Sequence, residues 1–267
     1  MKNLSRIIAK VYSEPWLITT AKHYAIQRAL EAKLRGETVL VPVQPGDEEE
    51  PEEDYVTGET MVIPVHGIIG KHLDMIETMC GGCDLDSVDA SIEEARGDSN
   101  IRRVAFSFRT PGGTVTGVPE TAARIAQLSA TKETIAYTDS ECCSAGYWMA
   151  SQCRGFFCAG SASTGSIGVY MALLDQTRAL DMQGITVNEI SSDKWKCAGA
   201  PWRVLSEEER AQFQSQVAAI ADDFKSAIGL FRELPDEYMR GQVFSGKDAV
   251  AFGLADGIAD SLEELLT

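Results

Sequence analysis

Beyond its N-terminal part, the chain alternates between short apolar runs and amphipathic stretches. The runs at 61–70, 102–110 and 134–140 are apolar enough for buried strands. Between them, the stretches 84–98 and 118–128 carry apolar residues at helical spacing. Strands that alternate with helices of about ten residues are typical of βαβ units. The pattern therefore predicts an α/β fold with a largely parallel sheet.

The pattern continues toward the C-terminus. A further helix is predicted over 145–152, and more strand material lies at 155–160 and 166–174. A long helix is predicted over 206–231, because its Ser-Glu-Glu-Glu opening has the spacing of a capping box.

An additional helix is predicted near the N-terminus, over residues 16–35. Its apolar residues Ile26, Leu30 and Leu34 are four positions apart and share one face, and Gly36 ends it. Because it precedes the βαβ pattern, we expect a peripheral amphipathic helix outside the main core.

Charge is distributed unevenly along the 267 residues. The 24 Lys and Arg against 40 Asp and Glu give a net charge of −16, and seven of the carboxylates lie within 47–54. Like charges at this density repel one another, which predicts a solvated linker, with a docking tail as the alternative. We therefore divide the chain into an N-terminal helix and linker, 1–55, and one domain, 56–267.

The acidic balance also excludes classes of partner. It argues against nucleic acid and against anionic membrane surfaces, both of which need clustered cations. No apolar run reaches the length of a spanning helix, and the N-terminus lacks the pattern of a secretory signal. We therefore expect a cytoplasmic protein without a membrane anchor.

The seven cysteines are scattered and odd in number, which is typical of reduced thiols in a cytosol. Cys80 and Cys83 have a redox or metal spacing, but a zinc site normally needs a second ligand pair, and none is obvious. Small thiols in a glycine-rich turn are the plainer interpretation. We expect no metal ion and no cofactor.

Only three histidines are present, His23, His66 and His72, and all precede the second half of the chain. A Ser-His-Asp site would need His66 or His72 to reach the nucleophile by folding. With imidazole scarce, the other candidate for a general base is a lysine. A lysine acts as a base only when neutral, so its surroundings must lower its pKa.

Two serines occupy positions suited to chemistry. Ser144 lies between a predicted strand and a predicted helix, so its hydroxyl and the amide of Ala145 would face the same cleft. The turn that contains Gly113 follows another strand and could supply a second oxyanion donor. Ser166 lies in a glycine-spaced loop that we expect to run into a strand. The alternatives are a helix N-cap for Ser144 and a tight turn for Ser166.

Several motifs occur in an order that resembles the signal peptide peptidase A family, serine peptidase family S49, which includes the phage head (prohead) proteases. The resemblance covers roughly residues 58–262. The motifs that carry it are Pro-Gly-Gly at 111–113, Ser-Ala-Gly-Tyr-Trp-Met-Ala-Ser at 144–151, Thr-Gly-Ser-Ile-Gly-Val at 164–169, Lys-Trp-Lys-Cys-Ala-Gly-Ala-Pro at 194–201, and the closing segment 241–256.

The resemblance implies a Ser-Lys dyad on a ClpP/crotonase-like fold. Ser144 matches the family's nucleophile and Lys196 its general base. Ser166 matches the serine that hydrogen-bonds and orients that lysine. Gly113 and Ala145 match the backbone donors of the oxyanion hole.

This sequence departs from the family pattern at a few positions. Cys142 and Cys143 directly precede the nucleophile, and Cys197 follows the lysine where a polar or acidic residue is common. Asp193 stands where the family often has glycine. Lys194 is a competing lysine, which we interpret as a solvent-facing charge, and we interpret the cysteines as structural thiols.

Within the family, residues 14–34 resemble the leader of phage head proteases, which cleave scaffold and capsid-associated proteins. We therefore expect a prohead protease in the host cytoplasm or inside the procapsid, forming a homo-oligomer and removing its own N-terminal segment of about 50 residues. The alternatives are a host-type signal peptide peptidase and a catalytically silent head-assembly protein. A crotonase-like acyl-CoA enzyme is disfavoured, because its chemistry needs no serine nucleophile.

Overall fold

The computed structural model describes residues 10–12, 14–36, 53–79 and 81–266. In chain order the strands are β1 (Trp16–Ile18), β2 (Tyr55–Thr57), β3 (Thr60–His66), β4 (Ile68–Gly70), β5 (Gly82–Asp84), β6 (Arg103–Arg109), β7 (Gly112–Thr114), β8 (Glu133–Thr138), β9 (Glu141–Cys143), β10 (Gly155–Cys158), β11 (Ser163–Gly165), β12 (Val243–Ser245) and β13 (Gly257–Ile258).

The α-helices are α1 (Thr20–Leu34), α2 (Met75–Met79), α3 (Leu85–Gly97), α4 (Val118–Thr131), α5 (Ala145–Ala150), α6 (Thr177–Met182), α7 (Glu207–Ile228), α8 (Gly246–Ala251) and α9 (Leu262–Leu266), with one 3₁₀ turn at Asp236–Tyr238.

The largest sheet runs in the order β13-β10-β8-β6-β3-β2. All of its pairs are parallel except β2 with β3. The βαβ units β3-α3-β6 and β6-α4-β8 link three of these strands, and β6 is buried along most of its length. Buried strands of this kind need cover on both faces. The predicted α/β class, largely parallel sheet and βαβ units are confirmed.

Helices α3 and α4 pack against each other and against this sheet. The helical apolar spacing predicted over 84–98 is confirmed, since its apolar residues Val88, Ile92 and Ala95 are all buried. Burying a side chain such as Ile92 completely stabilises the fold by about 1.5–3 kcal/mol. The apolar spacing read from the sequence thus marks the surface that joins helix to sheet.

Two smaller sheets lie beside the large one. The first runs β1-β7-β4-β5 and the second β12-β11-β9. In each, one edge strand is antiparallel and the remaining pairs are parallel. These sheets contain the segments that were singled out for chemistry in the sequence.

The peripheral position of the N-terminal helix is confirmed. Its buried residue Leu30 belongs to a small apolar cluster with Val11, Trp16 and Ile18, separate from the main core. The predicted helix nevertheless started too early, because residues 16–18 form strand β1. These three residues are consecutive apolar positions outside the helical spacing of Ile26, Leu30 and Leu34, and they pair with the backbone of β7.

The predicted strand over 166–174 is wrong for most of its length. The strand of this region, β11, ends before it, at Gly165, which has φ 103°. Beyond that turn, Tyr170 makes a single isolated bridge to Trp16, and the following residues are irregular. Residues 166–174 therefore make a single β-bridge, and its partner, Trp16, is more than 150 positions away in the chain.

The long C-terminal helix is confirmed as α7, together with its capping box. The Ser206 side chain accepts from the Glu209 amide, and the Glu209 side chain accepts from the Ser206 amide. Most of the acidic linker, 37–52, and Cys80 lie outside the described residues, so the boundary at 55 and the role of the CxxC pair stay predictions. Within the described residues, none of the helices combines the length and the apolar character needed to cross a membrane.

Candidate active site

Three strand ends converge at the predicted site. β9 and β11 are parallel, with Cys143 opposite Gly165, so the next residues, Ser144 and Ser166, leave the sheet side by side. On the other side of β9, Thr110 at the end of β6 bridges to Cys142 in parallel. Carboxyl ends of parallel strands are where α/β proteins place their ligands. The structure therefore brings together the two serines that the sequence singled out.

Ser144 occupies a helix N-cap position, but its geometry differs from that of an ordinary capping residue. It has φ 53° and ψ −109°, a conformation that non-glycine residues seldom adopt. It is 1% exposed, and its hydroxyl has no hydrogen-bond partner. It occupies the N-cap position of α5 without making a side-chain cap. A strained backbone and an unsatisfied buried hydroxyl each cost free energy, which is typical of a functional position.

The amide of Ala145 is the first predicted oxyanion donor. Ala145 is the first residue of α5, so its N–H has no acceptor within the helix. It is completely buried beside Ser144. A backbone amide that directly follows the serine and lacks a helical acceptor is suited to stabilise negative charge on a substrate oxygen.

Ser166 is held by the same ladder. The Ser144 amide donates to the Gly165 carbonyl at 2.8 Å, and the Ser166 amide donates to the Gln242 carbonyl at 2.6 Å. Ser166 also has φ 53° and is 8% exposed. Two adjacent serines with the same unusual backbone angle, each fixed by a main-chain hydrogen bond, form a rigid pair.

Thr110 and the glycines of β7 also lie against the site, since β7 contacts α5. Thr110 accepts from the Cys143 amide through its carbonyl, and its methyl group packs against Gly146 of α5. A Cβ on Gly146 would come within 2.4 Å of that methyl carbon, so only glycine permits this approach. A Cβ on Gly113 would lie 1.9 Å from the carbonyl oxygen of Ile69. The second predicted oxyanion donor, Gly113, therefore sits in a closely packed backbone layer.

Lys196 is not brought to Ser144. It is exposed, in an irregular segment, and its amide donates to the Asp193 carbonyl at 3.2 Å. Since Ser144 Oγ has no hydrogen-bond partner, the dyad is not assembled in this arrangement. Lys194 pairs with Glu208 at 2.6 Å and lies over the Trp195 ring, in keeping with the solvent-facing charge predicted for it.

The segment that carries Lys196, residues 171–205, is unusually exposed and apolar; we call it the lysine arm. Its side chains pack little against the core. Its exposed large apolar residues are Leu174, Met182, Ile185, Val187, Ile190, Trp195, Trp202 and Val204. A contiguous segment so rich in exposed apolar side chains is typical of an interaction surface.

The cysteines beside the serine are buried. Burial raises the pKa of the Cys143 thiol to about 12 and that of Cys142 well above its ordinary value. Neither thiol is ionised near neutral pH, and the thiolate is the reactive form. This supports the interpretation of both as structural thiols.

The histidines make other contacts. His23 is buried with Nε2 3.1 Å from the Val11 carbonyl, and burial lowers its pKa. His66 Nε2 lies 3.1 Å from the Ser107 hydroxyl, and His72 contacts Asp86. Because the hydroxyl of Ser144 has no partner, none of these rings acts as its base here.

Sequence reasoning missed one feature of the site, the position of β1. This strand pairs with β7 directly at Gly112 and Gly113. The signal was present in the sequence, because Pro15 disfavours helical geometry for the residue before it and the Trp-Leu-Ile run that follows has high strand propensity.

The chain is an α/β protein with a strained, buried serine at the carboxyl ends of parallel strands. This arrangement is typical of an enzyme active site. Comparison with known families agrees with this class: residues 126–265, just over half of the chain, match the sequence model of Peptidase family S49. The chain therefore belongs to peptidase family S49. The matched region includes Ser144, Ser166 and Lys196 and leaves Gly113 outside it.

Three curated relatives, each 26% identical, illustrate the family. The Head-tail preconnector protein GP5 of Enterobacteria phage P21 and the Capsid assembly protease C of Escherichia phage lambda each match over 99% of this chain. This chain spans 57% and 65% of their respective lengths. The chloroplastic serine protease SPPA of Arabidopsis thaliana matches over 74% of this chain and 30% of its own length.

Solved structures with a similar arrangement include a membrane-bound stomatin-specific protease, at a TM-score of 0.43 and 15% identity over 79% of this chain and 84% of that one. An enoyl-CoA hydratase/isomerase family member has a TM-score of 0.42 and 15% identity, covering 80% and 72%. The predicted α/β class rests on the chain's own parallel sheet and βαβ units.

Proposed function

We propose that this chain is a serine endopeptidase in which Ser144 is the nucleophile and Lys196 the general base. The observation that carries this proposal is the strained, buried and unpartnered Ser144 hydroxyl at the end of β9. Membership in family S49 supports the reaction class. Ser166, fixed beside Ser144, is proposed to orient the lysine.

In the proposed reaction, Ser144 Oγ attacks the carbonyl carbon of the scissile peptide bond while neutral Lys196 takes the hydroxyl proton. The oxyanion that forms is stabilised by the amides of Gly113 and Ala145. Protonated Lys196 then gives its proton to the leaving amine, and the peptide bond breaks to leave an acyl ester on Ser144. Water, deprotonated by the same lysine, hydrolyses that ester and regenerates the serine.

The dyad requires the lysine arm to change its position. Exposed apolar residues such as Ile190, at 97% exposure, would be covered if the arm packed against a second copy of the chain. We propose that homo-oligomer formation orders the arm and moves Lys196 toward Ser144. Burial there would also lower the pKa of a lysine, as its role as a base demands.

The proposed setting is phage head maturation, with scaffold or capsid proteins as substrates. Supporting this, the two phage relatives match over 99% of the chain, including its N-terminal segment, whereas the chloroplastic protease matches over 74%. The names of those relatives refer to capsid assembly and to the head-tail preconnector. A host-type signal peptide peptidase is the second candidate, favoured only by the shared family.

The test is incubation of the purified chain with co-expressed scaffold and capsid proteins, followed by mass spectrometry of the products. We expect cleavage by the unchanged chain and none by Ser144→Ala. Ser140→Ala, in the exposed turn just before β9, is the matched control and should cleave normally. Equal processing by Ser144→Ala would overturn Ser144 as the nucleophile, whereas no processing by any form would favour a catalytically silent assembly protein.

A further inference from the structure

Strand β1 is held between two backbone segments, as a bound peptide would be. On one side it pairs antiparallel with β7, with Leu17 opposite Gly113. On the other side, the Trp16 amide donates to the Tyr170 carbonyl at 2.8 Å, and the Tyr170 amide donates back at 3.2 Å. One flanking segment, β7, contains Gly113 of the proposed site, and the other follows Ser166 by four positions in the chain.

The hydrogen-bonding pattern between β1 and β7 places the Leu17 carbonyl at the amide of Gly113, the proposed oxyanion donor. The Val115 amide donates to the Pro15 carbonyl at 3.4 Å, and the Thr19 amide donates to the Pro111 carbonyl at 3.1 Å. In an antiparallel pair, hydrogen-bonded positions alternate with non-bonded ones. Leu17 and Gly113 lie midway between these two bonded pairs and are therefore bonded as well, so the Gly113 N–H faces the Leu17 carbonyl.

The side chains of β1 alternate between two apolar clusters, as expected for a strand inserted between them. Leu17 is completely buried in the main apolar core, which also contains Ala145, whereas Trp16 and Ile18 belong to the small N-terminal cluster. The side chain beside the oxyanion donor thus enters the enzyme core, and its neighbours are held by the peripheral helix.

The glycines of β7 allow this close approach. Gly112 has φ 105°, and a Cβ there would lie 2.0 Å from the Leu17 carbonyl oxygen. Any other residue would push the inserted backbone away from the turn. The turn is therefore shaped to accept the main chain of a peptide at this position.

We propose that residues 15–19 fill the peptide-binding cleft as a built-in pseudosubstrate, with the Leu17 carbonyl where the scissile carbonyl of a substrate belongs. Substrate peptides displace this strand, lie antiparallel to β7 and place an apolar residue of leucine size at the position of Leu17. The inference rests on the proposed function, because it takes Gly113 as an oxyanion donor.

The first test measures binding without catalysis, in a Ser144→Ala background. The probe is a fluorescein-labelled peptide with the sequence of residues 14–20, EPWLITT, followed by fluorescence anisotropy. Trp16→Ala weakens the docking of β1, since it removes the ring that stacks on His23 at 4.9 Å. We expect the peptide to bind this variant about tenfold more tightly, because the competing strand no longer occupies the cleft. A peptide with Asp in place of Leu should not bind.

The second test keeps the proposal falsifiable if Trp16→Ala does not fold, which circular dichroism will show. Trp16 and Thr114 are a non-bonded pair of the ladder, a geometry in which Cα atoms lie about 4.5 Å apart and a disulfide can form. In the Trp16→Cys/Thr114→Cys chain with Ser144 intact, oxidation should abolish hydrolysis of an unstructured protein substrate, and reductant should restore it. Thr114→Cys alone, treated identically, is the control.

The outcomes separate this inference from the proposed function. The pseudosubstrate proposal is wrong if the peptide binds equally well with and without Trp16. It is also wrong if the oxidised Trp16→Cys/Thr114→Cys disulfide leaves hydrolysis unaffected. Neither result contradicts the proposed peptidase activity. Tight, Leu-dependent peptide binding without any hydrolysis by the Ser144 chain supports the cleft and overturns the peptidase.

Discussion

The two halves of the proposed dyad are held in opposite ways. Ser144 is 1% exposed and fixed by a parallel ladder, whereas the lysine arm presents side chains as exposed as Ile190, at 97%. A nucleophile built into a sheet end is preorganised whatever the rest of the molecule does. A base on an exposed segment becomes effective only when that segment is ordered. If the proposed dyad is correct, activity depends on the ordering of the arm more than on any change at the serine.

The sharpest test of this comparison substitutes the two lysines of the arm separately. Lys196→Ala should lower kcat/KM on a peptide substrate by about 10³-fold, since a general base contributes on the order of 10²–10⁴-fold. Lys194→Ala should stay within about twofold, because the contacts of that side chain, with Glu208 and the Trp195 ring, are exposed. Neither change should alter the melting temperature, since both side chains are exposed.

If Lys194→Ala produced the larger loss, the assignment of the base would pass to that residue. Steady-state kinetics of both variants, with thermal melts of each, decide between the two lysines.

The second test perturbs the rigid backbone beside Ser144, at the proposed oxyanion donor Gly113. Gly113→Ala places a methyl group 1.9 Å from the Ile69 carbonyl oxygen, which is main chain and cannot rotate away. We expect β7 to shift at a cost of about 3 kcal/mol in the free energy of unfolding, with loss of activity. Gly97→Ala is the matched control, since a Cβ there meets nothing within 4 Å. Urea unfolding of both variants measures the difference, and equal stability would show that the backbone layer is less rigid than described.

The same contrast explains what could be predicted from the sequence. The helix-period spacing of α3 and the strand-turn-helix pattern around Ser144 are local, so both were found. The pairing of β1 with β7 joins residues nearly 100 positions apart, Trp16 with Thr114, and no local pattern specifies such a partner. The position of Lys196 is also non-local, because few core contacts fix the arm. The role proposed for Lys196 came only from the family resemblance.

A third test addresses Ser166 as a positioning residue. Its loss should remove one hydrogen bond to the base, worth about 1.5–3 kcal/mol when the partner is charged, which is a ten- to hundredfold loss in kcat/KM. Ser163→Ala, on β11 a few residues earlier, is the control. A residue that only stabilises the turn would leave the pH profile unchanged. We therefore expect Ser166→Ala to move the midpoint of the pH–rate profile, and an unmoved midpoint would contradict the orienting role.

The smallest expected effect concerns the contact between the lysine arm and α7, which Arg203 and Glu209 make. Arg203 contacts Glu209 of the capping box and donates to the Cys197 carbonyl at 2.8 Å, next to Lys196. Hydrogen bonds from Arg203 and Ser206 lower the pKa of Glu209 to about 2. A carboxyl whose folded pKa lies below its unfolded value, about 4.3, stabilises the fold above that value and loses the contribution as the pH falls toward 2.

Glu209→Gln should therefore lower the melting temperature by about 2–4 °C at pH 7, and the gap to the unchanged chain should close as the pH falls from 5 to 2. Glu208→Gln, whose partner Lys194 is exposed, should shift the melting temperature by less than about 1 °C. If Glu209→Gln also lowers kcat/KM several-fold at neutral pH, the arm is ordered partly from α7. An unchanged kcat/KM would mean that α7 does not position Lys196. The positioning contacts would then come from another part of the assembly, such as a neighbouring copy of the chain.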